Sequence, residues 1–281
     1  MTFSLAVPNK GRLKDPSVQL LRDAGLSFEV TERALSVPVR NVDMELLFVR
    51  TEDIPELVSD GVAHVGITGV DLVAEHGNGL QTLSELGFGH CRLVAAVPVD
   101  SPIETIDEFG GLRVATAHPR ATAAFFAART IHVDVVALRG SVEVATKIGV
   151  ADAIVDLVST GSTLRVNGLR AVGTVVDSQA ILVSKATAAD DEKVRQVTTA
   201  IRAVTAGRRK RYLLLNAPSD AVESIAGLIP GLEAPTVVPL AEDGWVAVHS
   251  VVEAEALWEL LPKLEAAGGK GILVLPIEQL L

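Results

Sequence analysis

Apolar positions along this chain follow two rhythms. Short unbroken runs read as buried strands, and runs spaced three and four apart read as helices. Phe3–Val7 predicts a strand, and Pro8-Asn-Lys-Gly11 turns it into a helix around Pro16–Ala24 that Gly25 ends. Strand Glu45–Val49 leads through Arg50 to a helix over Ile54–Ser59, with Asp53 or Thr51 as its cap. His64–Ile67 is a short strand, and Thr68–Asp71 is a small turn before another helix. The alternation predicts a doubly wound parallel sheet in outline.

A second unit of the same kind starts near Arg92–Pro98. Its expected elements are strand Arg113–Thr116, a helix from Ala121 to Arg129, strand Val133–Leu138, and a helix from Val142 to Ile148. Strands Val172–Val176 and Ala180–Val183 are expected to return to the first unit, followed by a helix from Asp191 to about Ala206. Two α/β lobes joined by two crossings leave a cleft at strand carboxyl ends. From about Arg208 the order becomes β-α-β-β-α-β, which is ferredoxin-like, with Asp243-Gly244 as the hairpin turn between the middle strands. The expected division is 1–90 for lobe I, completed by about 178–207, then 91–177 for lobe II and 208–281 for the small domain.

The segment with the most chemistry is Asp152–Leu164. Ile154, Val155, Leu157 and Val158 form a buried strand that carries Asp156 and ends in Ser159-Thr160-Gly161-Ser162-Thr163. That turn has no bulky side chain, so its backbone N–H groups can approach an anion while hydroxyls donate beside them. A carboxylate shortly before it suits the hydroxyls of a sugar whose phosphate sits in the turn. An ordinary turn, with Thr163 or Ser162 as a helix N-cap, fits the same four residues.

Composition narrows the class. At 281 residues the chain is long for one core, and 48% hydrophobic with 4% aromatic residues favours an α/β protein of small packing units. No apolar run spans a membrane, and the N-terminus lacks the pattern of a signal peptide. One cysteine, Cys91, fits a reducing cytoplasm and reads as a small buried hydrophobe at a strand start. A net charge of −10 argues against nucleic acid as a partner. It also means that a polyanionic ligand needs a local basic pocket, for which Lys10-Gly-Arg12, Arg50 and Arg113 are candidates. Arg208–Arg211 is more basic still, but it closes a helix and reads as a complement to the helix dipole. The six histidines show no metal-ligand spacing.

These motifs, in order, resemble the long form of ATP phosphoribosyltransferase over essentially the whole chain. The blocks are Val7-Pro-Asn-Lys-Gly-Arg-Leu13, Val49-Arg-Thr-Glu-Asp-Ile54, Gly66-Ile-Thr-Gly69, Gly87-Phe-Gly89, Gly140-Ser-Val-Glu-Val144, Gly149 through Gly161, and Pro235-Thr236. The resemblance implies a two-lobed periplasmic-binding-protein-like catalytic core with a C-terminal ferredoxin-like regulatory domain. It implies a reaction joining N1 of ATP to C1 of phosphoribosyl pyrophosphate with Mg²⁺, and inhibition by L-histidine. Active dimers and inhibited hexamers are implied as well. Thr160, Gly161, Ser162, Thr163 and Leu164 are expected to hold the 5-phosphate, and Asp156 the ribose hydroxyls.

Glu143 matches a family acid near the same substrate, and Lys10 and Arg50 match basic positions facing the polyphosphates. Gly69 and Asp71 are expected to line the cleft, with Asp71 as a helix N-cap in the alternative. Asn216 and Thr236 are expected at the effector site. His118 stands where many members have Tyr, and Asn216 where some have Asp, which would cost the effector ammonium a charge partner. Prephenate dehydratase shares the general layout, but its Thr-Arg-Phe motif is absent; a DNA-binding regulator would need a basic face and a helix-turn-helix segment.

Overall fold

The computed structural model describes residues 2–30, 34–77, 79–159, 161–229 and 234–281. Thr160 of the strand-end turn lies outside them. The described chain divides into two compact units, Met1–Thr198 and Thr199–Leu281.

The first unit begins with β1 (Phe3–Pro8), α1 (Lys14–Asp23), β2 (Ser36–Pro38), β3 (Met44–Val49), α2 (Ile54–Ser59), β4 (Val65–Gly69), α3 (Val70–His76) and β5 (Leu80–Glu85). It continues with β6 (Cys91–Pro98), β7 (Arg113–Thr116), α4 (Pro119–Ala127), β8 (Asp134–Ala137), β9 (Ala153–Val158), α5 (Ser162–Val166), β10 (Leu169–Ser178) and β11 (Ala180–Lys185). Helix α6 covers Glu192–Arg209.

Two sheets result. The first lobe has the order β2-β3-β1-β4-β11-β5, and the second β10-β6-β9-β7-β8. This is the two-lobed arrangement of a periplasmic-binding-protein-like core. The sheets are mixed rather than all parallel: β11 runs antiparallel to both β4 and β5, and β6 antiparallel to β9 and β10. Only β11 returns to the first sheet, because β10 pairs with β6 over its whole length. The apolar side chains of β1 and β4 are fully enclosed, as both faces of a central strand require.

The segment expected as a helix over Val142–Ile148 forms only a 3₁₀ turn at Val142–Val144, followed by turns up to Gly149. Ser141 enters that turn with φ +51°, a conformation that bends the chain sharply instead of starting a helix. Val142 and Ala145 still reach the core with Ile154 and Leu164.

The second unit holds β12 (Lys210–Pro218), α7 (Val222–Leu228), β13 (Thr236–Pro239), β14 (Trp245–Glu253), α8 (Leu257–Ala266) and β15 (Lys270–Pro276). The antiparallel sheet has the order β13-β14-β12-β15, the ferredoxin-like arrangement. Alternation along β12 sends Leu213, Leu215 and Ala217 into a core with Ile225, Leu260 and Leu264 of the helices. Tyr212, Leu214 and Asn216 lie on the other face. Gly244, with φ +81°, closes the β13–β14 hairpin, but the connection spans residues 240–244 rather than two residues. The basic run is used locally: Arg211 donates to the carbonyls of Arg208 and Lys210, and Lys210 pairs with Glu253.

Candidate active site

The strand-end turn follows directly from β9. Val158 is enclosed in the second lobe's core, Ser159 is exposed, and Gly161 adopts φ +74° as the N-cap of α5. Glycine reaches that left-handed conformation without strain. Gly161, rather than Ser162 or Thr163, is therefore the cap residue. Thr163 is exposed, whereas Leu164 is buried in the core, so Leu164 anchors the turn and offers an anion only its backbone. Arg12, from the turn after β1, donates to Ser159 Oγ (3.3 Å) and to Cys91 Sγ (2.7 Å). A first-lobe guanidinium thus stands against the second-lobe turn. Cys91 is buried at the start of β6, as its sequence context predicts.

Asp156 is half-buried on β9 and accepts the Leu157 N–H at 2.8 Å. Burial pushes its carboxyl pKa up, and the negative charge of Glu143 pushes it the same way, against the Leu157 hydrogen bond and the His118 ring. The structure therefore brings Asp156 and Glu143 together, although they come from different segments. Asp71 takes the opposite course. Burial raises its pKa, but hydrogen bonds from His118 and Ser178 outweigh burial and hold it below the ordinary aspartate value. His118 Nε2 stands 3.5 Å from Asp71 Oδ2, and the Ser178 hydroxyl donates to Asp71 Oδ1. The Asp71 N–H in turn donates to Ser178 Oγ (3.1 Å). Gly69 is the N-cap of α3, not Asp71, and a Cβ on Gly69 would collide with the Asp71 carboxylate.

Lys10 and Arg50 are exposed at the carboxyl ends of β1 and β3, which are paired neighbours in register up to Pro8 and Val49. They share one sheet edge, where two cations reinforce each other's field. Arg113 does not join them. It sits at the amino end of β7 and is held by Asp152 through both carboxylate oxygens. Sequence reasoning placed a basic candidate there because strand direction relative to the cleft is invisible in a charge list. It also missed Asn9, whose buried Oδ1 has no hydrogen-bond partner among the described residues, and Arg165, which comes near Gly161.

A cavity of about 510 Å³ is lined by Val70, Cys91, Arg92, Ser159, Ser178 and others from both lobes. A second, of about 650 Å³, adjoins it at Arg92, Val158 and Ser159 and extends to Gly161 and Arg165. Among the described residues no group of three or more His, Cys, Asp or Glu side chains is placed to hold a metal ion. In the second unit, a cavity of about 550 Å³ is lined by Tyr212, Thr236, Val238, His249, Ser250 and neighbours. Tyr212 Oη and His249 Nδ1 are 2.6 Å apart beside it. Thr236 lines this cavity, whereas Asn216 is not among its lining residues and pairs with Ala247 and Lys270.

The two-lobed core thus carries a glycine-capped strand-end turn, a carboxylate three residues before Ser159 and cations at the carboxyl ends of β1 and β3. Comparison with known proteins identifies the family. The family model described as ATP phosphoribosyltransferase matches residues 50–203, and that of its C-terminal domain matches residues 207–279. The ATP phosphoribosyltransferase of Haloarcula marismortui is 44% identical over 98% of this chain and 99% of its own length. That of Methanocaldococcus jannaschii is 42% identical over 98% of this chain and 99% of its own. The ATP phosphoribosyl transferase (HisG:HisZ) complex from Thermotoga maritima contains a chain with a TM-score of 0.60 and 27% identity, covering 71% of this chain and 98% of that one. The chain belongs to the ATP phosphoribosyltransferase family. It is a transferase whose reaction is the first step of histidine biosynthesis. No helix among the described residues is long and apolar enough to cross a membrane.

Proposed function

We propose that phosphoribosyl pyrophosphate and ATP meet at the carboxyl ends of β1, β3, β4 and β9, and that the turn after β9 holds the 5-phosphate. The observation that carries this reading is the geometry at Gly161: a left-handed residue opens the turn into a short helix, with Asp156 behind it and Arg12 across from it. In this reading the backbone N–H groups of Gly161–Leu164, the hydroxyls of Ser162 and Thr163, and Thr160 by its place in the sequence, cradle the phosphate. Asp156 accepts hydrogen bonds from the ribose hydroxyls, with Glu143 beside it.

The chemistry asks little proton transfer of the protein. N1 of adenine attacks C1 with its own lone pair, and the C1–O bond to pyrophosphate breaks with its electrons leaving on oxygen. The protein's tasks are to align the two substrates, stabilise positive charge on the ribose ring and receive negative charge on the leaving group. Asp156 and Glu143 suit the first charge; Lys10, Arg50 and Arg12 suit the second. Gly69 and Asp71 shape the wall between them. Mg²⁺ characteristically binds one or two carboxylates together with substrate oxygens and keeps several waters. Asp156 and Glu143 are the carboxylates that would face such an ion, and it would supply positive charge for the leaving pyrophosphate.

Residues 208–281 form the regulatory domain in this reading, and L-histidine is the effector. The cavity beside Thr236, Tyr212 and His249 is the place for it. Val238, Leu273 and Leu275 are 46%, 54% and 49% exposed and share the sheet face away from the helices, a surface suited to assembly of copies of the chain.

The test is steady-state formation of phosphoribosyl-ATP from ATP, phosphoribosyl pyrophosphate and Mg²⁺ by Thr163→Val. A several-fold higher KM for phosphoribosyl pyrophosphate, with KM for ATP little changed, is expected. Wild-type constants for both substrates would remove the turn from the site.

A further inference from the structure

Helix α4 starts without a cap of its own. Its N-cap residue is His118, whose side chain makes no capping hydrogen bond, and Pro119 has no N–H to satisfy. The next two N–H groups, of Arg120 and Ala121, donate instead to the two carboxylate oxygens of Glu75, at 3.1 and 2.9 Å. Glu75 lies 45 residues earlier, on α3 of the first lobe, and is 4% exposed. A buried carboxylate on a helix N-terminus is well compensated, since the donors and the helix dipole both favour its charge.

Glu75 also lies one turn after Asp71 on the same helix face. Helix α3 therefore presents two carboxylates in a row to one point of the second lobe: Asp71 to the His118 ring and Glu75 to the turn that follows it. His118 is 6% exposed, and its Nδ1 is buried without a hydrogen-bond partner among the described residues. Its backbone N–H donates to Thr116 Oγ1 (2.9 Å), itself fully buried at the end of β7. Among the described residues the ring's one polar contact is the long one to Asp71. Its position consequently depends on where the first turn of α4 stands. Strand β7 pairs with β9 up to Thr116 and Val155, so His118 emerges beside Asp156, whose charge it stabilises.

We propose that Glu75 is a positioning residue for the transfer reaction: by capping α4 from the other lobe it fixes His118, and with it the wall of the cleft beside Asp156. Glu75 touches no substrate in this account. The proposal rests on the assignment of the Asp156 cleft as the active site. It goes beyond that assignment in giving a catalytic consequence to a residue outside the cleft.

The experiment is a double-mutant cycle in the full-length chain, with Glu75→Ala, His118→Ala and the pair, reading kcat and KM separately. Glu75→Ala is expected to lower kcat at least tenfold, with KM for ATP within about threefold of wild type. Glu75→Gln, which retains one acceptor oxygen, is expected to recover part of the loss. The double variant is expected to be no slower than His118→Ala alone, because Glu75 acts through His118. Independent, multiplying losses would make Glu75 a general stabiliser and overturn the proposal, as would wild-type kcat in Glu75→Ala. If Glu75→Ala does not fold, the same cycle run with Glu75→Gln decides between the same two outcomes. Asp156→Asn is the control: full activity there would sink the cleft assignment itself. Loss of activity in Asp156→Asn beside wild-type kcat in Glu75→Ala would sink only the role of Glu75.

Discussion

Each lobe carries an aspartate near His118, Asp71 buried and Asp156 half-buried, and the two behave oppositely. Asp71 of the first lobe has a partner for each oxygen, Ser178 and His118, and its pKa falls. Asp156 of the second lobe accepts the Leu157 N–H, and burial first, then its like-charged neighbour Glu143, raise its pKa. Burial alone thus does not decide what a carboxylate does. A carboxylate with a side-chain partner on each oxygen is a piece of scaffold. One left short of donors is the group with capacity for a substrate's hydroxyls.

The strongest way to break this contrast is Asp156→Asn. If Asp156 takes charge-assisted hydrogen bonds from the ribose, its loss costs ~1.5–3 kcal/mol per bond. With two such bonds kcat/KM for phosphoribosyl pyrophosphate is expected to fall at least about 100-fold. Stability should move the other way. A native pKa above the unfolded value means the folded state holds its proton more tightly. That contribution is complete below the ordinary aspartate value of 3.8 and is lost as pH rises through the folded value. At neutral pH the aspartate is therefore a burden on the fold, and Asn should raise Tm slightly. Thermal denaturation from pH 3 to pH 7 checks it: the gain of the variant over wild type should disappear at the acid end.

Asp71→Ala should reverse the sign of the stability effect. It removes a partnered charge and leaves the Ser178 hydroxyl and the His118 ring without their carboxylate acceptor, at a cost of about 2 kcal/mol in stability. Asp71 has a native pKa below its unfolded value. Its contribution is present above pH 3.8 and lost as pH falls through the folded value. The deficit of the variant, measured by urea denaturation, should thus be full at neutral pH and shrink in acid. A deficit that grows in acid would show that the His118–Ser178 network does not hold the carboxylate.

How much of this was legible in the sequence depends on range. The strand Ala153–Val158, its aspartate and the small turn are local, and the apolar run with its glycine placed them correctly. The ferredoxin-like order of the second unit was legible for the same reason, since its strands alternate cleanly about a single core. Strand β5 was not, because Leu83 is its one enclosed side chain and its neighbours are polar. The pairing of β10 was misread because two register shifts against β6 blur its alternation. Val142–Ile148 has helical spacing, yet the left-handed Ser141 leads it into turns. Glu75 carries no local signal at all: its partners lie on another lobe, and only the three-dimensional structure joins them.

A milder test compares walls by charge. Lys10→Ala and Arg50→Ala should each raise the KM of a polyphosphate substrate roughly fivefold at low salt, because both stand exposed on one sheet edge. The factor should shrink as ionic strength rises, since exposed charges are screened. Unchanged constants in both variants would return these residues to the solvated surface. Asp156→Asn should show no such salt dependence, which separates a screened edge from a half-buried site.

The smallest expected effect lies in the second unit, where the same question of filled and unfilled capacity applies to Asn216. An acid at this position would attract an effector ammonium, so Asn216→Asp is expected to strengthen inhibition by L-histidine. The structure limits the size of that gain. Asn216 does not line the cavity that Thr236 lines, and its cross-strand partner on β15 is Lys270. An aspartate at 216 would first pair with that lysine, an interaction of about 0.2–1 kcal/mol across a sheet. Lys270 is also drawn toward the Trp245 ring, 5.0 Å from its centroid, so the neutralisation would be incomplete. The remaining attraction should lower the half-inhibiting concentration of histidine by about twofold, whereas Thr236→Val should raise it by a larger factor. Inhibition curves for wild type and the two variants at neutral pH decide the order. A tenfold gain from Asn216→Asp, with Thr236→Val unchanged, would move the effector from the Thr236 cavity to the Lys270 side of the sheet.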